Sequence, residues 1–189
     1  MREGWFEVMG RGKVAAALMV AMGCSTALHA AEPTYLQGTV TRVTDGDTLW
    51  LRPDDDDGAR RKPLKIRIEG IDAPETCQPW GAQAAAALRE RLRGQHVEVT
   101  LLARDDYQRW LGTVSWHGED VGAWMVREGN AWSYAYRHDA GPYARLEEQA
   151  RSARRGLFAA ADPMPPNVFR RWHGPCEYSR DKGRRDDRN

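Results

Sequence analysis

Two short runs with alternating apolar positions, residues 38–43 and 48–52, flank the pair Asp45-Gly46 and constrain this chain more than any other feature. Alternation at period two turns one face of each strand toward a core, and Asp-Gly between such runs is a tight-turn signal. Thr39, Thr41 and Val43 are expected on one face of the first strand, and Leu49 and Leu51 on one face of the second. Residues 65–71 read as a third strand, with Ile66 and Ile68 on one side and Arg67 and Glu69 on the other. The stretch 53–62 between them holds Asp54, Asp55, Asp56 and Asp57 but lacks the alternating ligands and closing Glu of a calcium loop, so it reads as a solvated tip.

The period then lengthens. Over 80–93, Trp80, Ala84, Leu88 and Leu92 form one helical stripe that Gly94 stops. Val97, Val99 and Leu101 mark a fourth strand and residues 110–116 a fifth. Asp120 is placed to cap a short helix ending at Gly129, with Val121, Trp124 and Met125 inward. Trp132, Tyr134 and Tyr136 alternate as an extended piece; Pro142 then opens a third helix whose Tyr143, Leu146, Ala150 and Ala153 share a face up to Gly156. The remainder, 161–189, reads as a C-terminal extension: Pro163, Pro165 and Pro166 first, then a charged end from 180 on that is expected to be disordered.

Residues 1–30 read as an export signal, with Arg11 and Lys13 before an apolar run from Val14 to Met22 and a cleavage site before Ala31. The run is too short to span a bilayer. Met22-Gly23-Cys24 leaves a lipid anchor through Cys24 as the alternative. Both readings place the protein outside the cytoplasm, in the periplasm or secreted. Export leaves Cys77 and Cys176 as the remaining thiols, and an oxidising compartment permits them to pair. Such a bridge would close a loop of about a hundred residues, worth up to about 4.7 kcal/mol in the chain-entropy model. His96, His117, His138 and His173 are too dispersed for a zinc motif.

Net charge is +1; taking the leader's three basic and two acidic residues from totals of 28 and 27 leaves 25 of each. Attraction for a polyanion must therefore be local rather than a global field. A local arrangement is present: Asp45-Gly46-Asp47-Thr48 and Asp72-Ala73-Pro74-Glu75, with Arg67 between them and Arg109 further on. Carboxylates are hard oxygen ligands for divalent cations, and Arg presents a planar fork that matches phosphate oxygens. Hydrolysis of a phosphodiester needs charge neutralisation, an activated water and transition-state stabilisation, and a cation, a base and an arginine clamp supply them.

Four blocks in order carry a resemblance: Asp45-Gly46-Asp47-Thr48; Arg67 with Gly70-Ile71-Asp72-Ala73-Pro74-Glu75; Asp105-Asp106-Tyr107-Gln108-Arg109-Trp110-Leu111; and a last helix running to Arg155-Gly156-Leu157-Phe158. The stretch from about Val40 to Phe158, within residues 31–160, resembles the staphylococcal nuclease (thermonuclease) family. That resemblance implies an α+β fold, a five-stranded OB-fold β-barrel packed with three α-helices. It also implies a monomeric, calcium-dependent nuclease that hydrolyses DNA and RNA with little sequence specificity and leaves 3′-phosphate ends. By the same resemblance Asp47, Asp72 and the Ala73 carbonyl would hold calcium, Glu75 would be the general base, Arg67 and Arg109 would grip the scissile phosphate, and Tyr107, Tyr134 and Tyr136 would line the nucleotide pocket. Two positions depart from the type enzyme: Ala73 stands in place of a Thr and Asp106 in place of a Lys. A non-catalytic OB module for single-stranded nucleic acid and an envelope interaction protein remain the competing classes.

Arg67 and Asp72 are five apart, so a regular strand would send them to opposite faces. Both can serve one site only if the pleat is interrupted, and Gly70 is the residue between them that permits a bulge.

Overall fold

Inward apolar side chains alternating with outward polar ones form the strands, and one parallel pairing closes them into a barrel. The computed structural model describes residues 34–54, 62–134, 139–174 and 176. In chain order its elements begin β1 (Thr34–Val43), β2 (Thr48–Pro53), β3 (Leu64–Ile68), β4 (Ile71–Asp72), α1 (Gly81–Leu92), β5 (His96–Arg104) and β6 (Trp110–Trp116). They continue with β7 (Glu119–Asp120), α2 (Val121–Arg127), β8 (Trp132–Ser133), α3 (Ala144–Ser152), a 3-10 turn (Gly156–Ala159) and α4 (Pro166–His173).

β1 lies between β2 and β5, antiparallel to both; β2 pairs with β3 and β5 with β6. Parallel pairing of β3 with β6, from Ile66 opposite Trp110 to Ile68 opposite Gly112, completes a closed five-stranded barrel. Closure leaves these strands with few unpaired edges. The interior holds Val40, Leu49, Leu51, Ile66, Ile68, Val97, Val99 and Val114, and α1 covers one end through Ala84, Leu88 and Leu92. Each large side chain so buried contributes roughly 1.5–3 kcal/mol relative to exposure.

The hairpin, the third to fifth strands and the three helices form where periodicity placed them. Asp120 caps α2, accepting from Ala123 N–H at 3.1 Å. The face assignment in β1 does not hold: Val40 and Val43 are inward, while Thr39 and Thr41 are half-buried. A register shift between Val40 and Arg42 reverses the parity, so Val43 leaves the threonines and returns to the core. The interruption expected at Gly70 is a turn: β3 ends at Ile68, Gly70 has φ +79°, and the chain resumes as β4. Any residue with a Cβ would be strained there, because a positive φ of this size disfavours it and the added Cβ would lie 2.7 Å from the Pro142 ring.

The stripe Trp132, Tyr134, Tyr136 also divides. Trp132 is in β8, opposite Asp72 of β4, and packs edge-on against Phe158 in a second small core with Ala150 and Leu157. Tyr134 is 41% exposed, and Tyr136 lies outside the described residues. The segment after residue 160 contributes a fourth helix, α4, with Pro166 at its start. Gln78 Nε2 donates to the Met164 carbonyl at 2.5 Å, and a Cys77–Cys176 disulfide ties the end of this segment to the loop before α1. The export leader and the charged end from 180 on also fall outside the described residues. Among the described residues no helix is long and apolar enough to cross a membrane.

Candidate active site

The β1–β2 turn, β3, β4 and the loop leading to α1 each bring one charged group to the same edge of the barrel. Asp47 sits in the turn and is buried; its backbone N–H donates to Asp45 Oδ1 at 3.1 Å, and its carbonyl accepts from Ile68 N–H at 2.8 Å. The turn packs tightly, since a Cβ on Gly46 would lie 2.7 Å from the Ala73 Cβ and 3.0 Å from the Ala84 Cβ. Arg67, paired in register with Thr48, reaches Asp47 Oδ2 at 2.7 Å and Asp72 Oδ1 at 3.1 Å. The turn at Gly70 therefore brings Arg67 and Asp72 together despite their odd spacing. Thr48 Oγ1 donates to Asp47 Oδ1 at 2.8 Å, and the Ala73 N–H to Asp47 Oδ2 at 3.3 Å.

Glu75 lies in the loop after β4. Its N–H donates to Gln78 Oε1 at 3.1 Å, its carbonyl accepts from Gln78 N–H at 2.8 Å, and the start of α1 presses on that carbonyl. A Cβ at Gly81 would fall 1.8 Å from the Glu75 oxygen, so only glycine fits this approach. The Glu75 side chain meets Arg170 of α4, whose Nη1 donates to Glu75 Oε1 at 2.6 Å and whose Nη2 donates to Asp72 Oδ2 at 3.3 Å.

Arg109 sits across the cleft, held by the turn that carries it. Asp105 accepts from the Arg109 N–H at 2.9 Å and from Nε at 2.7 Å, and the guanidinium lies 5.4 Å from the Tyr107 ring centre. Arg67, Glu75, Tyr107, Arg109, Tyr134 and Arg170 all line one cleft of about 640 Å³. Asp47 and Asp72 are buried behind that lining, Asp47 bonded to Arg67 and Asp72 to both Arg67 and Arg170.

The acids gathered behind Arg67 perturb one another. Burial, then the neighbouring Asp47 charge, push Asp45 up to about 7. Burial raises Asp72 above the usual carboxylate range against the pull of Arg170 and Arg67. Burial works against the charge on Arg67, but Asp47 and Asp72 more than offset it and hold the guanidinium above its ordinary value. Asp105, by contrast, sits below the usual range: desolvation is the largest single influence and raises it, but the hydrogen bonds and charge of Arg109 and the Tyr107 N–H together outweigh it.

Sequence reasoning missed Arg170 and Gln78. Arg170 lies in a stretch read as an extension, and no local pattern marks it. The disulfide expectation held the signal, because joining residue 176 to residue 77 brings residue 170 within reach of residue 75.

A closed five-stranded barrel with its charged groups gathered at one edge defines an OB-type fold carrying a cationic and acidic cleft. Residues 65–160 match the family described as staphylococcal nuclease homologue, and the chain belongs to that family. Relatives include an uncharacterized endonuclease of Escherichia coli, 38% identical over 136 residues that cover 71% of this chain and 85% of that protein. An uncharacterized endonuclease of Haemophilus influenzae is 32% identical over 133 residues, covering 70% of this chain and 71% of that protein. Protein ParB of Escherichia coli is 34% identical over 168 residues, covering 82% and 92% respectively.

Proposed function

We propose that this nuclease-family hydrolase cleaves DNA and RNA phosphodiesters by attack of water, with little base readout, with calcium as its cofactor, and leaves 3′-phosphate ends. The observation that carries the reading is the unbroken chain of contacts from Asp47 through Arg67, Asp72 and Arg170 to Glu75, beside the cleft that Arg67, Glu75, Arg170 and Arg109 line.

The donor set fits a hard divalent cation. Four carboxyl groups, Asp45, Asp47, Asp72 and Glu75, are gathered with two guanidiniums, Arg67 and Arg170, and burial raises Asp45 and Asp72, so the acids outnumber the cations and a bound cation would favour their ionised forms. All four oxygens of Asp47 and Asp72 already accept hydrogen bonds, and among the described residues no three His, Cys, Asp or Glu side chains form a ready-made cage. Asp47, Asp72 and the Ala73 carbonyl would hold the ion, with water completing its shell as is usual for oxygen-ligated cations. The chemistry calcium would supply there is charge neutralisation and acidification of water.

The chain's own residues do the rest. Arg67 and Arg109, at two sides of one cleft, present forks to the non-bridging oxygens of a phosphodiester. Glu75 Oε2, the oxygen that Arg170 does not engage, takes the proton from the attacking water. Arg109 stabilises the charge that develops on the leaving side. Tyr107, 81% exposed, and Tyr134 offer faces for stacking, which is worth roughly 1–3 kcal/mol per base and tolerates any base. Asp106 lines the same cleft and repels phosphate, which weakens binding on that side. The disulfide fits a protein that acts in an oxidising compartment, periplasmic or secreted.

The test is cleavage of end-labelled DNA and RNA by the purified protein, in calcium and in chelator, with the new ends identified by phosphatase sensitivity. Calcium-dependent cleavage leaving 3′-phosphates is expected. Retardation of the oligonucleotides without cleavage in either condition would replace the enzyme by a binding module.

A further inference from the structure

We propose that Arg170 is the positioning residue for the Glu75 carboxylate, carried into the cleft by α4 and kept there by the Cys77–Cys176 bridge. The inference rests on the nuclease reading above. α4 lies beyond residues 65–160, the stretch that matches the family.

The Glu75 backbone is fixed by Gln78 and Gly81, but that restrains only its Cα. A glutamate side chain has three rotatable bonds whose freedom is lost when it is ordered, so a base at the end of it needs its own tether. Among the described residues, the one polar partner of the Glu75 carboxylate is Arg170, at 2.6 Å on Oε1. The same guanidinium reaches Asp72 Oδ2 at 3.3 Å and Oδ1 at 3.5 Å. A planar fork spanning two carboxylates fixes the distance between them, which an ammonium cannot do. With Oε1 engaged, Oε2 is the oxygen left to face the cleft.

α4 is built to hold this arginine in place. Phe169, the preceding residue, is buried; Met164, just before the helix, is bonded to Gln78; and Cys176, six residues past Arg170, is joined to Cys77, two residues past Glu75. One covalent bridge thus ties the segment carrying the arginine to the segment carrying the glutamate. The cleft wall is complete only when the C-terminal segment is docked.

A double-mutant cycle on the full oxidised chain tests this, with steady-state kinetics on a DNA oligonucleotide for the parent, Arg170→Gln, Glu75→Gln and the double variant. Arg170→Gln is expected to lower kcat about ten-fold or more with KM changed less than about two-fold, and to lower kcat less than about two-fold further when Glu75 is already Gln. The paired substitution Cys77→Ser with Cys176→Ser lowers kcat by a smaller factor and adds nothing to Arg170→Gln. Should Arg170→Gln melt early, Arg170→Lys runs the same cycle, since its ammonium reaches one carboxylate and not both. An equal loss with and without Glu75, or a loss carried by KM, overturns the inference and leaves the nuclease reading standing. A parent protein that cleaves nothing overturns both.

Discussion

Two arginine networks on this molecule use the same residue types for different ends. Away from the cleft lining, Arg91 of α1 lies over the rings of Trp116 and Trp124, at 4.9 and 4.3 Å from their centres, and pairs with Glu119 of β7. Arg127 of α2 pairs with that same Glu119 at 2.5 Å and with Glu128 at 3.3 Å. Two cations meet two anions there, partly in solvent, and aromatic faces take up the remaining attraction. At the cleft, Arg67 and Arg170 pair with three carboxyl groups, Asp47, Asp72 and Glu75, with Asp45 beside Asp47, and Asp47 and Asp72 are buried. The outer network is balanced and fastens α1, β7 and α2 together. The inner one holds more carboxyl groups than guanidiniums beside an open cleft, with burial raising Asp45 and Asp72, and perturbed acids of that kind cluster at functional sites.

The contrast can be broken most forcefully at Glu75. Glu75→Gln is expected to lower turnover about 10²- to 10⁴-fold while oligonucleotide affinity stays within about two-fold, read by single-turnover cleavage and fluorescence anisotropy. Near-normal turnover would remove Glu75 as the base. Arg67→Ala comes next, because it leaves Asp47 and Asp72 without their shared cation; about 3–5 kcal/mol of unfolding free energy should be lost in chelator, measured by urea titration. Calcium should restore more stability to that variant than to the parent, and an equal response in both would argue against Asp47 and Asp72 as ligands.

Arg109→Lys keeps the charge and loses the fork. Its kcat/KM is expected to fall about ten- to a hundred-fold with the melting temperature nearly unchanged, and full activity would reduce Arg109 to a surface charge held by Asp105. Arg91→Ala sharpens the comparison from the other side. Losing its contacts with the two tryptophans should cost about 1 kcal/mol of stability and leave kcat/KM intact. A change in catalysis there would mean that the outer network communicates with the cleft.

The barrel was legible because burial imposes a period of two that a reader can count, and Leu49, Leu51, Ile66 and Ile68 obey it. It failed at β1, where the bulge beyond Val40 shifts the count by one residue, and in the stripe from Trp132, where the strand stops after Ser133. Neither event leaves a local mark, since a bulge or a strand end is set by what the neighbouring strand can pair with. Asp47, Arg67, Asp72 and Glu75 could be picked out as candidates because acids and arginines cluster in short motifs. Tyr107 and Arg109 reach the same cleft from the turn between β5 and β6 and Tyr134 from just past the end of β8, while Tyr136 falls outside the described residues.

Sequence alone determined the residue types available for the chemistry, the strands and helices that carry them, and two cysteines able to pair. Tertiary structure decided that the turn at Gly70 brings Arg67 to Asp72, and that a helix from the far end of the chain delivers Arg170 to Glu75. The division has a physical cause. Periodicity and turn chemistry are local properties of a chain, whereas an ion pair between residues 95 positions apart forms only after barrel closure and the Cys77–Cys176 bridge have brought them within reach.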